Sequence, residues 1–185
     1  NGENTHVVAV EGNFDDCQRG VKQLFTDAAF EKEMTEQGET LSSANSINWA
    51  RLMPQIGYYF STYVDLVNEE KIAMGDPVNF VVPTGNFGDI LAGEFARLMG
   101  LPVGKLVCAS NSNDVLVDFF QKGEYDSRRP FYKTVSPSMD ILVSSNLERL
   151  VFLRTRADAF VRDAMERLSS GGAYDCRDLM RIIGD

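Results

Sequence analysis

The stretch with the most chemical potential is Thr84-Gly85-Asn86-Phe87-Gly88-Asp89. It stands directly after the apolar run 78–82 (VNFVV) and directly before a helical pattern. Gly85 and Gly88 permit backbone conformations closed to other residues. Successive amides of such a turn point outward, and the following helix N-terminus adds about half a positive charge. That is the physics of a phosphate cradle, at the carboxyl end of a strand, where open α/β sheets bind ligands. It is neither a P-loop, which needs Gly-Lys-Ser/Thr, nor the GxGxxG fingerprint. A plain capped turn, closed by Asn86 or Asp89, has the same spacing. Spacing alone leaves both readings open.

A second polar cluster comprises Ser43, Asn45, Ser46 and Asn48, with Arg51 one turn on. Asn48 and Arg51 are i, i+3 and share a helix face. An arginine there can grip a phosphate or carboxylate through two parallel bonds. Ser/Asn-rich loops also cap helices, and Ser46 suits that role. Asn111, Asn113 and Asp114 follow a strand-like run as the Gly turn does, and 136–140 (SPSMD) again precedes a helical pattern. Both also read as ordinary caps. Trp49, Tyr58 and Tyr59 read as core or interface.

The lysines are Lys22, Lys32, Lys71, Lys105, Lys122 and Lys133. None lies in a loop beside the Gly turn, and none has the buried setting of a Schiff-base lysine. Cys17, Cys108 and Cys176 are isolated, with no CxxC pair and no disulfide framework, as in a reducing cytoplasm. Cys108 reads as a core thiol. His6 is the sole histidine, so no zinc site is expected.

These groups need a scaffold. Residues 7–10 (VVAV) read as a buried strand, 78–82 as a second, 106–109 as a third and 131–135 as a fourth. Asp15 and Asp16 are placed to cap a first helix carrying the stripe Val21, Leu24 and Phe25. Residues 32–38 read as its polar end, and 39–43 as a strand or extended entry. A helix over 47–67 should kink or break at Pro54. Further helices are predicted over 90–99, from 111–114 to about 121, and over 141–153, 156–168 and 176–183. Gly100 and Gly123 serve as stops. Alternating strands and helices predict an α/β fold with a mainly parallel sheet and flanking helices.

The length of 185 residues suits one domain. Such a chain buries roughly 70% of its unfolded surface and needs no metal or disulfide to build a core. The net charge of −9, with no basic cluster, argues against nucleic acid or an anionic membrane as partner. No apolar run approaches the ~20 residues of a membrane span, and no signal peptide is visible. The first residue is Asn1, from which we expect an excised piece of a longer protein.

Four segments together resemble threonine synthase, in the same order: 43–59 (SANSINWARLMPQIGYY), 84–89 (TGNFGD), 110–116 (SNSNDVL) and 134–141 (TVSPSMDI). Residues 6–21 (HVVAVEGNFDDCQRGV) resemble the family's entry strand and helix. The likeness covers about residues 6–153 and is nearest to the longer bacterial and fungal form. It implies a tryptophan-synthase-β-like (fold type II) enzyme that uses pyridoxal 5'-phosphate. Such enzymes eliminate phosphate from O-phosphohomoserine and add water to give threonine. It also implies that Gly85, Asn86, Phe87 and Gly88 hold the cofactor phosphate, and that Ser46, Asn48 and Arg51 lie in the active site, with substrate contact as their role.

By the same resemblance, 1–185 is a single α/β piece of the enzyme's centre. The Schiff-base lysine belongs to an upstream segment, and the partner of the pyridine nitrogen to a downstream one. The piece alone is therefore expected to be inactive. Two alternatives stay open: a threonine-synthase-like phospho-lyase that releases a 2-oxo acid, and a non-catalytic phosphate-ligand module.

Overall fold

The computed structural model describes residues 2–183. The chain divides into two compact units, Asn1–Ser42 and Ser43–Asp185.

The first unit is two helices. α1 (Phe14–Thr26) starts on a capping box: Asn13 Oδ1 accepts from the Asp16 amide at 3.0 Å, and Asp16 accepts from the Asn13 amide at 2.9 Å. The cap is thus Asn13, with Asp16 its reciprocal partner. α2 (Ala28–Glu36) is capped by Asp27 and takes in most of the stretch predicted to be a polar terminator. Residues 39–43 form no strand. The strand predicted at 7–10 does not form. Val7 and Val8 are 77% and 81% exposed. A parallel strand needs neighbours on its edges and cover on its faces, and no described strand pairs with this run.

The second unit opens with α3 (Trp49–Leu52), a 3₁₀ turn (Met53–Gln55) and α4 (Ile56–Asn68). Pro54 sits at the start of the turn, so the predicted break is real. β1 (Val78–Pro83) runs parallel to β2 (Val103–Ala109), pairing Phe80 with Leu106 and Val82 with Cys108. α5 (Gly88–Leu98) connects them and buries Ile90, Leu91, Ala92 and Ala96. α6 (Val115–Lys122) ends at Gly123, whose φ of +72° makes the left-handed stop.

A short antiparallel pair that the sequence pattern did not reveal follows, β3 (Glu124–Asp126) with β4 (Ala173–Asp175). It joins Tyr125 to Tyr174, whose buried rings stack at 5.2 Å. Residues 131–135 are not a strand. Side chains pin that backbone instead: the Tyr132 amide donates to Asn113 Oδ1 at 3.0 Å and the Thr134 amide to Asp140 Oδ2 at 2.8 Å. α7 (Leu147–Thr155) starts later than predicted, and α8 (Asp158–Gly171), a 3₁₀ turn (Arg177–Leu179) and α9 (Met180–Ile183) complete the described chain. The class is α/β as predicted, with a parallel sheet and flanking helices. Among the described residues that sheet has two strands, not four.

Cys176 is the buried thiol, Cys108 is half-buried and Cys17 is exposed.

Candidate functional site

The Gly turn is built by the end of β1. The Thr84 amide donates to Ala109 O at 2.8 Å, extending the ladder by one residue, and Thr84 Oγ1 donates to Val82 O at 2.7 Å. Phe87 then takes φ +65° in the left-handed region at the N-cap of α5. A non-glycine residue there costs on the order of 1 kcal/mol or more. Burial of the Phe87 ring, 4% exposed, offsets this cost.

Asn86 Oδ1 accepts from the Gly88 amide at 2.9 Å, so the capped-turn reading is partly realised. Among the described residues, the amides of Gly85, Asn86, Phe87, Asp89 and Ile90 meet no acceptor. All five residues are buried or half-buried. Buried amides call for an acceptor, and at a helix N-terminus the dipole favours an anionic one.

The back of the turn is held from far along the chain. Ser144 Oγ donates to Gly85 O at 2.8 Å. The backbone and side-chain amides of Asn146 both donate to Asn86 O at 3.0 Å. Asn146 Nδ2 also reaches Ser46 Oγ at 3.2 Å. Arg149 donates to Ser46 O at 2.8 Å, to Asn146 Oδ1 at 2.6 Å and to Ile47 O. Burial holds the Arg149 guanidinium below the usual arginine range. Gly88 is sterically required, and Gly85 leaves little room for a side chain. A Cβ on Gly85 would lie 3.3 Å from Met139 Cα, and one on Gly88 2.7 Å from Ser46 Cβ.

Of the second cluster, the structure brings only Ser46 against the turn, 6% exposed. Asn48 caps α3 through the Ala50 amide at 3.0 Å, and its Nδ2 donates to Ser43 O at 3.1 Å. Arg51 is exposed, and its Nε braces Ala44 O at 3.2 Å. Asn48 and Arg51 therefore tie the 43–48 loop to its own helix.

Asn111 and Asn113 are not helix caps. They converge on Asp140, 4% exposed, whose Oδ1 accepts from Asn111 Nδ2 (2.7 Å), Asn113 Nδ2 (3.2 Å) and Thr134 Oγ1 (2.7 Å). The hydrogen bond from the Thr134 backbone amide, with these side-chain donors, holds the Asp140 carboxyl below the usual carboxylate range. This network seats Met139 and Ile141 against Gly85. On the other side of the turn Tyr59 OH donates to Asp89 O at 2.8 Å, and burial raises the Asp89 carboxyl.

A separate cavity of about 530 Å³ lies between β2, α5, α6 and α7. Of residues 84–89 only Phe87 lines it, so it is not the space that the turn's amides address. Its polar wall is Glu94, 4% exposed, ion-paired with Arg154 at 2.9 Å and with Arg97.

Sequence reading missed Ser144, Asn146 and Arg149, having placed them inside a helix. The run Ser144-Ser145-Asn146 before Leu147 is a string of N-terminal signals and could have marked the later start.

No family model matches the chain. It is 50% identical over 171 residues to human threonine synthase-like 1, a match covering 91% of this chain and 23% of that protein. It is 46% identical over 178 residues to threonine synthase of Pseudomonas aeruginosa, covering 96% and 36%. The crystal structure of pyridoxal-phosphate-bound threonine synthase from Brucella melitensis superposes with a TM-score of 0.76 at 46% identity, covering 93% of this chain and 35% of that one. The chain thus spans between about a quarter and a third of the length of these relatives. Its α/β architecture is that of the fold type II enzymes, and over most of its own length the chain is similar in sequence and fold to a segment of threonine synthases.

Proposed function

We propose that this chain is a segment of a pyridoxal 5'-phosphate-dependent threonine synthase, converting O-phospho-L-homoserine and water to L-threonine and phosphate. The observation that carries this reading is the set of amides around the Gly85–Gly88 turn that meet no acceptor among the described residues, which suits a phosphate group. Gly85, Asn86 and Phe87 hold that phosphate through backbone amides rather than side chains, with its charge met by the α5 N-terminus; Gly88, whose own amide donates to Asn86 Oδ1, belongs to the cradle by the family resemblance. When bound, the cofactor supplies the electron sink for the carbanions of phosphate elimination and water addition. The protein's part is to hold and orient it. Ser46 is assigned to substrate contact by the family resemblance; here it packs behind Gly88 and bonds to Asn146. For Asn48 and Arg51 the support is the family resemblance, since both brace their own loop here.

No lysine among the described residues forms a hydrogen bond or ion pair with the turn. The reading therefore assigns the Schiff-base lysine to the two-thirds of the relatives' length that this chain does not match, and treats 1–185 as one α/β segment. Alone, the segment turns over no substrate. The enzyme is read as cytoplasmic, supported by three free cysteines. No described helix is long and apolar enough to cross a membrane. The net charge of −9 fits a small-molecule substrate rather than nucleic acid.

The match to threonine synthase-like 1 motivates a second reading, a phospho-lyase that stops after elimination. The test is the full-length chain with cofactor and O-phosphohomoserine, following phosphate, threonine and 2-oxo acid together. Equal phosphate and threonine support the synthase. Phosphate with 2-oxo acid and no threonine replaces it with the phospho-lyase. Cofactor binding without turnover points to a binding module and overturns both.

A further inference from the structure

We propose that Ser144, Asn146 and Arg149 are positioning residues that aim the amides of Asn86 and Phe87 at the bound anion. The proposal rests on the phosphate-cradle reading above and deepens it. A trans peptide is planar, so its carbonyl and the following N–H point in opposite directions. Ser144 Oγ holds the Gly85 carbonyl, which turns the Asn86 amide away from the 144–149 segment. Asn146 holds the Asn86 carbonyl with two donors at 3.0 Å, which turns the Phe87 amide away in the same manner. Those are two of the amides left without an acceptor.

Asn146 is itself oriented. Its Oδ1 accepts from Arg149 at 2.6 Å, so Nδ2, not the oxygen, faces Asn86 O. Arg149 also grips Ser46 O and Ile47 O, and so presses the 43–48 loop onto Gly88 from behind. One guanidinium therefore joins the two segments around the turn without reaching the anion itself. Asn146 is completely buried and Ser144 is 6% exposed, so water does not compete for these bonds.

The test uses the full-length chain and compares its affinity for pyridoxal 5'-phosphate with that for pyridoxal, which lacks the phosphate. Ser144→Ala, Asn146→Ala and Arg149→Lys should each weaken the phosphorylated cofactor roughly tenfold or more, as loss of at least one well-made buried hydrogen bond does. Pyridoxal affinity should stay within about twofold, and the ³¹P resonance of the bound cofactor should move. Arg149→Met is the severe variant; if it fails to fold, Ser144→Ala removes one hydroxyl and Arg149→Lys keeps the charge. Equal losses for both cofactor forms, or no loss, overturn the proposal. Gly88→Ala is the control for the cradle. If it lowers affinity only for the phosphorylated form while the three variants do not, positioning alone is overturned. If it leaves the ratio unchanged, the cradle reading falls as well.

Discussion

Asn146 Nδ2 donates to Ser46 Oγ at 3.2 Å, across 100 residues of chain and directly beside Gly88. The contact explains why the turn needs glycine there. Ser46 occupies the volume that any larger residue would claim.

Replacing Gly88 with Ala should destabilise the full-length protein by about 1–3 kcal/mol through overpacking against Ser46. Adding Ser46→Gly should recover part of that loss, because the clashing atoms are then absent. Urea unfolding of both single variants and the double variant measures the coupling. A coupling near zero would show that the two sites do not share this volume.

Phe87 should invert the usual order of Ala and Gly. Phe87→Ala loses the buried ring, a cost of about 3–5 kcal/mol. Phe87→Gly loses the same ring but relieves the left-handed φ of +65°, so it should be the milder by about 1 kcal/mol. Thermal or urea midpoints of the two variants decide the order.

The Asp140 carboxyl is held below its ordinary value of 3.8 by the Thr134 amide and its side-chain donors. A depressed carboxylate contributes stability that is present above its unfolded pKa and lost as pH falls through the folded one. The 131–141 loop should therefore loosen below about pH 4. Thr134 amide exchange should rise there in the native protein. Asp140→Asn should loosen the loop at neutral pH and remove that acid dependence.

Thiol labelling should follow burial. Cys176, 1% exposed, has its thiol pushed up to about 12 by burial and the nearby Asp175 charge. At pH 8 iodoacetamide should modify the exposed Cys17 and leave Cys176 intact until the protein unfolds. Peptide mass spectrometry reads both sites, and early labelling of Cys176 would contradict its burial.

The unit β1–turn–α5–β2 was legible in the sequence because each signal is local. A β-branched run, a Gly turn and a helix stop lie within about thirty residues. Pro54 and Gly123 acted as punctuation for the same reason. Residues 7–10 and 131–135 have strand composition, but propensity cannot supply a partner strand, and neither run has one among the described residues. β3 and β4 are three residues each, too short to show any period, and form around the Tyr125–Tyr174 stack. The back of the candidate site was hidden in a different way. Ser144, Asn146 and Arg149 act on residues 59 to 103 positions away, and no window of sequence joins them.

Those separations also order events in time. The β1–α5–β2 unit closes short loops and can form early, whereas the Arg149–Ser46 bond must close a loop of 103 residues. The turn therefore acquires its backbone before it acquires its final aim. During refolding, helix signal should precede recovery of anion affinity, and the lag measures how long the nascent turn waits for the distant chain to arrive.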